Sequence, residues 1–136
     1  MYKTKIILFS TMAAILTVSI VVLTLTLSSA YHDQRYAKSH QGCLPGQINH
    51  KVTIENDIVS PLHTTATKCD TLTITNLDTT RRDIAFGVHD KHIAYDGISE
   101  QALIKDQSLT VTLVQTGDFI FHDHMHDEVR GTFSVR

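Results

Sequence analysis

Three histidines at alternate positions, His122, His124 and His126, sit in the stretch Gly117-Asp-Phe-Ile-Phe-His-Asp-His-Met-His-Asp-Glu-Val-Arg-Gly131, interleaved with Asp123 and followed by Asp127. Imidazole nitrogens and carboxylate oxygens at this density suit a borderline divalent cation such as copper or zinc. Along an extended strand, residues two apart share a face and stand about 6.5 Å apart by strand rise, so His122 and His124 can reach one ion. His122, His124 and His126, with Asp123 as a fourth ligand, form the candidate metal site. Neutral imidazole is the ligating form, so binding should weaken as the pH falls and protons compete. His89, Asp90 and His92 form a second cluster after a strand-like run. It reads either as a surface metal site or as solvent-facing loop residues. His32, His40, His50 and His63 stand alone in the sequence and read as ordinary surface histidines.

Other chemistries find little footing. No serine lies in a nucleophile elbow, and no spacing pairs a cysteine with a histidine base. Nothing defines a substrate pocket, so binding rather than catalysis is the expectation. The formal net charge is −2, with no basic stripe, P-loop or Gly-rich phosphate cradle, which argues against a nucleic-acid partner.

The elements that must position these residues are short strands. Lys51–Glu55, Asp70–Thr75, Asp83–Phe86, Leu109–Leu113, Phe119–Phe121 and Thr132–Val135 alternate with period two and are rich in threonine and β-branched residues. Turn residues separate them at Asn56-Asp57, Asn76-Leu-Asp78, Asp96-Gly97 and Thr116-Gly117. The one helix-like piece is a short segment over Ser99–Ile104. The pattern predicts an all-β unit, a small antiparallel sandwich or barrel, over 47–136. Val52, Ile54, Leu72, Ile74, Ile84, Phe86, Val111, Leu113, Phe119, Phe121, Phe133 and Val135 should face inward. By the same parity Arg82 and Asp123 point inward, while His122 and His124 project outward.

Before this unit come an apolar segment, 1–30, and a polar tether, 31–46. Lys3 and Lys5 precede an uncharged run from Ile6 to Ala30. That run is long enough for a membrane span, which needs roughly 17–25 residues, while Ser28-Ser-Ala30 offers the small residues a signal peptidase reads. The segment is thus a signal-anchor held in the membrane through residues 6–27, or a cleaved signal peptide. Either way the lysines favour the inside, and the rest of the chain faces outward from the membrane or is secreted or periplasmic. Cys43 and Cys69 suit an oxidising compartment and could form one disulfide joining tether to domain.

Three pieces give the chain a resemblance to the cupredoxins over most of 50–136. Lys68-Cys-Asp-Thr-Leu-Thr-Ile-Thr-Asn-Leu-Asp78 is similar to the family's "Gly-Asp-x-Val-x-Phe-x-Asn-x-Asp" strand, with Cys69 in the glycine slot. Gly117-Asp-Phe-Ile-Phe121 is similar to its "Gly-x-Tyr-x-Tyr" strand. Asp123-His-Met-His-Asp-Glu-Val-Arg-Gly131 resembles the short ligand loop, "Cys-x-x-His-x-x-Met-x-Gly", most of all that of amicyanin. The resemblance implies a Greek-key cupredoxin-like β-sandwich and a copper site. Its ligands do not carry over intact. His126 takes the second-histidine slot, but Asp123 stands for the cysteine, Val129 for the methionine, and the first-histidine slot falls at about Arg82. Without the thiolate there is no blue-copper electronic structure. The family's arrangement makes the Arg82 and Asp123 strands neighbours, so these two could instead form an ion pair at the copper position. It also puts the His89–His92 end far from residues 122–126. His122-Asp-His124 is also similar to the His-x-His segments of multicopper oxidases, which need several such segments.

The expectation is an exported, membrane-tethered cupredoxin-like protein that binds copper, or zinc in its place, for metal capture, tolerance or delivery. Two alternatives stand beside it. One is a metal-free binding or structural module of the cell envelope. The other is a redox subunit whose copper site is completed by a partner chain.

Overall fold

The computed structural model describes residues 2–43 and 47–136, and in the N-terminal helix the side chains of 17–31, 33, 34, 37, 38 and 40. Residues 44–46, the end of the polar stretch, lie outside the described residues. The chain divides into two compact units, Met1–Lys38 and Ser39–Arg136.

Helix α1 spans Tyr2–His40 and so takes in residues 31–40 of the predicted tether. Its described apolar side chains, including Val18, Val21, Leu23, Leu25 and Leu27, are exposed rather than gathered on one buried stripe. The hydroxyls of Thr24, Thr26 and Ser29 donate to the carbonyls of Val21, Leu23 and Thr26, satisfying polar groups within the helix itself. Among the described residues no helix is long and apolar enough to cross a membrane. Hydroxyl residues at 17, 19, 24, 26, 28 and 29 interrupt the apolar run, and its first part, 6–16, lies outside the described side chains.

The second unit is a two-layer β-sandwich. One sheet has the order β2-β1-β4-β8, formed by Ile58–Ser60, Asn49–Glu55, Thr71–Asn76 and Ser108–Thr112. The other has the order β3-β10-β9-β5-β6, formed by His63–Ala66, His126–Val135, Gly117–Asp123, Arg82–Val88 and Lys91–His92; β7, Glu100–Leu103, also pairs with β5. Two pairings, β1 with β4 and β3 with β10, are parallel, so the sandwich is mixed where a purely antiparallel one was expected. Each parallel pair is joined by a long crossover rather than a tight turn, as parallel geometry requires. The segment over Ser99–Ile104 is also corrected: it is strand, not helix, because Glu100–Leu103 pairs with β5 from Arg82↔Leu103 to Ala85↔Glu100. Tertiary pairing overrides the local preference of so short a segment.

The inward alternation holds. Val52, Ile54, Leu72, Ile74, Ile84, Phe86, Val111, Leu113, Phe121, Phe133 and Val135 are buried in one core. Phe119 is only half-buried, stacked on Phe133 at 5.1 Å and edge-on to the buried Tyr95 at 4.8 Å. Cys43 and Cys69 are disulfide-bonded, tying the segment after α1 to the start of β4. Asp70, next to Cys69, accepts from the backbone N–H of Ile48 and Thr67 and pairs with His50 at 2.9 Å. The His50 contact holds this buried carboxylate below its ordinary range.

Candidate metal centre

Strand β9 lies antiparallel to β5, with Ala85 opposite His122 and Ile84 opposite Asp123. Period two then sends Phe121 and Asp123 into the sandwich and His122 to its outer side. His122 is nonetheless 1% exposed, where sequence parity had it projecting freely. The cause lies at the end of β5. Gly87 adopts φ +92°, and β6 doubles back on β5 with Gly87 opposite His92. The returning hairpin covers His122 and carries His89 and His92 with it.

The hairpin corrects the expectation that His89 and His92 lie far from the 122–126 segment. The His89 ring centroid stands 5.9 Å from His122 and 5.0 Å from His124; that of His92 stands 5.2 Å and 4.8 Å from them. His124 occupies the β9–β10 turn, where its N–H donates to the Asp83 carbonyl at 2.7 Å. Its Nδ1 lies 3.1 Å from His92 Nε2. Two nitrogens sharing a tetrahedral ion with bonds of 2.0–2.1 Å stand about 3.3 Å apart, so this spacing matches a common ligand shell. Glu100 brings a carboxylate 3.9 Å from His124 Nδ1 and 3.8 Å from the other ring nitrogen of His92, Nδ1. Among the described residues, His89, His122 and His124 bring ligand atoms within 4.8 Å of one another, and so do His92, Glu100 and His124.

His122 is the fixed point of the cluster. Its Nδ1 is 3.0 Å from the Gly87 carbonyl, which can only accept, so Nδ1 carries the hydrogen. The lone pair is left on Nε2, which is buried with no hydrogen-bond partner among the described residues. Buried acceptors are seldom left unpaired, whereas a ligating histidine characteristically binds through one nitrogen and anchors the other to a carbonyl. Burial is the main cause pushing the His122 imidazole below its ordinary pKa, and the neighbouring His92 and His89 push the same way, against the Gly87 hydrogen bond and Asp127. The ring is thereby held in its neutral, ligating form.

The position that corresponds to blue copper is filled differently. Arg82 is 1% exposed, and its guanidinium donates to Asp123 Oδ2 at 3.2 Å, to Asp78 Oδ2 at 2.6 Å and to Asp57. Asp123 Oδ1 accepts from the N–H of Asp83 and of Met125, both at 3.1 Å. Burial lowers the Arg82 pKa, but the hydrogen bonds to the three carboxylates outweigh it and leave the guanidinium raised. Val129 is core. A guanidinium in place of an imidazole, and a hydrogen-bonded carboxylate in place of a thiolate, do not fit a copper ion at that position. Of the four residues first put forward, the structure thus brings His122 and His124 together and engages Asp123 with Arg82. It leaves His126 half-exposed, 3.8 Å from Glu128. His126, Asp123 and the exposed Asp90 belong to neither ligand set among the described residues. Glu100 had no sequence signal, since it sits 22 residues before His122 in a stretch read as helix.

Gly87 allows a test of the hairpin. A Cβ there would meet the Lys91 carbonyl oxygen at 2.6 Å, in a backbone conformation side chains rarely adopt. Gly87→Ala should displace His89 and His92 and lower metal affinity about tenfold or more, while costing roughly 1–3 kcal/mol of stability, as strain at such positions does. Metal titration alongside urea unfolding separates the two effects.

No family model matches the chain, and no curated protein matches it. Solved structures do. The purple cupredoxin from Nitrosopumilus maritimus superposes with a TM-score of 0.57 at 20% identity, covering 64% of this chain and 99% of that one. Amicyanin from Paracoccus versutus superposes with a TM-score of 0.54 at 20% identity, covering 68% and 85%. The oxidised form of an amicyanin variant gives 0.55 at 20% identity, covering 70% and 87%. The fold of the second unit is that of the cupredoxins.

Proposed function

We propose that this chain, a cupredoxin fold without the blue-copper ligand set, captures and delivers a divalent first-row metal, copper in the first place and zinc as the alternative, through His89, His92, His122 and His124. The observation that carries this reading is the buried, unpartnered Nε2 of His122, on a ring packed among those of His89 and His92 and grouped with His124. Imidazole nitrogen is a suitable donor for both metals, and copper(II) binds such sites more tightly than zinc. Fast one-electron transfer of the blue-copper kind is not part of the proposal, since the thiolate is absent and Arg82 occupies its neighbourhood. The protein works outside the cytoplasm, attached to the membrane through residues 6–27 or released after cleavage. Supporting that placement are Lys3 and Lys5 before the apolar run, and the Cys43–Cys69 disulfide, a bond that persists in oxidising compartments.

The test is metal content and the visible spectrum of the purified full chain after loading with copper(II) or zinc and desalting. One ion per chain should be retained, without an intense blue band. Affinity should fall as the pH is lowered and protons compete for the ligating nitrogens. Retention of no metal would overturn the proposal. It would favour the metal-free envelope module, which the Arg82–Asp123 ion pair at the copper position supports.

A further inference from the structure

The two ligand sets share a single residue, His124. Their chemistry differs. His89, His122 and His124 are all imidazole and include the buried, backbone-anchored His122. His92, Glu100 and His124 contain the one carboxylate and no buried member. An incoming cation is hydrated, and the charge of Glu100 attracts it from a distance that neutral imidazoles do not reach. The final complex favours imidazole, because copper and zinc prefer nitrogen to a lone carboxylate oxygen. Simultaneous occupation is disfavoured. Two divalent ions would bring four positive charges against one carboxylate ligand, Glu100, across ligand atoms no more than 4.8 Å apart within each set.

We infer that the site loads in two steps: a divalent metal ion is taken first by Glu100, His92 and His124, then passes to His89 and His122 while His124 stays bound. This rests on the metal-binding reading above and adds a route and an order to it. Glu100 acts in loading and unloading but is not a ligand in the final complex. Destabilising the intermediate therefore leaves the dissociation constant unchanged and slows loading and release by the same factor. A permanent ligand behaves differently, since its loss raises the release rate.

The experiment is stopped-flow loading of the full chain with copper(II) or zinc ion, with release measured into excess chelator, for wild type, Glu100→Gln and His122→Gln. Glu100 is partly exposed on β7, so its substitution leaves the core intact. Glu100→Gln should load and release roughly tenfold more slowly at low salt with an unchanged dissociation constant, in line with the size of electrostatic steering effects. His122→Gln should keep the fast first phase and lose the ion on desalting. Loading of Glu100→Gln at the wild-type rate would overturn the two-step route, as would faster release from it, or two ions per chain at saturation. A wild-type protein that takes up no metal would overturn the metal-binding reading itself, a result distinct from all of these.

Discussion

Arg82→Leu should cost the sandwich about 3–5 kcal/mol, the range for removing one partner of a buried ion pair. The guanidinium is among the largest fully buried side chains and serves three carboxylates. Asp123 is 0% exposed and Asp78 nearly buried, so both would be left charged in a poor solvent. Asp57 is largely exposed, and its share is screened by water. Burial drives the Asp78 carboxyl upward, yet hydrogen bonds from Arg82 and the Asn56 and Asp57 N–H groups outweigh it and leave the pKa lowered. A lowered carboxylate contributes stability above its ordinary value of 3.8 that is lost as the pH falls through the depressed value. The wild type should therefore lose this contribution in acid, and Arg82→Leu should show less of the acid dependence. Urea unfolding at neutral and acidic pH measures both. Adding Asp123→Leu to Arg82→Leu should recover part of the loss, because an apolar pair replaces the stranded charge. A cost below about 1 kcal/mol for the single variant would mean that water reaches the carboxylates.

The same ion cluster explains why part of the structure was legible in the sequence. Arg82 and Asp123 occupy inward positions of strands whose parity is set by Ile84 with Phe86 and by Phe121, so period two placed both charges inside. Strand β4 could be read in the same way, through Leu72 and Ile74. Parity failed where burial comes from an element outside the strand. His122 points outward as alternation requires, yet it is buried because a hairpin folds over it. That fold-back depends on one glycine at positive φ, and nothing in the spacing of His89 and His92 reports which way the chain turns after Gly87. Phe119 shows the converse, an inward position near a strand end that the core covers only in part. Glu100 was hidden for a third reason. It reaches the histidines because β7 pairs with β5, a contact between segments whose own sequences carry no mark of it.

The sharpest consequence of the hairpin concerns two histidines that sequence treats alike. His122→Ala should weaken metal binding at least about 100-fold, more than the 10–100-fold typical of losing a residue that merely supports a ligand. His126→Ala should change it less than about twofold, a difference below 0.5 kcal/mol. From spacing alone the two variants are equivalent, since each lies two residues from His124. They differ in the structure because Nδ1 of His122 is fixed by the Gly87 carbonyl and its ring, with Nε2 buried and unpartnered, packs against His89 and His92, whereas His126 pairs loosely with Glu128 at the surface. Competition titration against a chelator of known affinity gives both constants, and unfolding curves for the metal-free proteins show whether His122→Ala remains folded. His89→Ala, an exposed substitution in the same ligand set as His122, checks the result independently of the buried site. Metal should also raise the wild-type unfolding midpoint, as any ligand that binds only the folded state does, and leave that of His122→Ala unmoved. Equal losses from His122→Ala and His126→Ala would place the ion on the 122–126 segment itself, with the hairpin histidines as bystanders. The distinction is one of geometry: residues two apart share a face only while a strand runs on, and the turn between β9 and β10 carries His126 onto the next strand, away from the face that the hairpin closes.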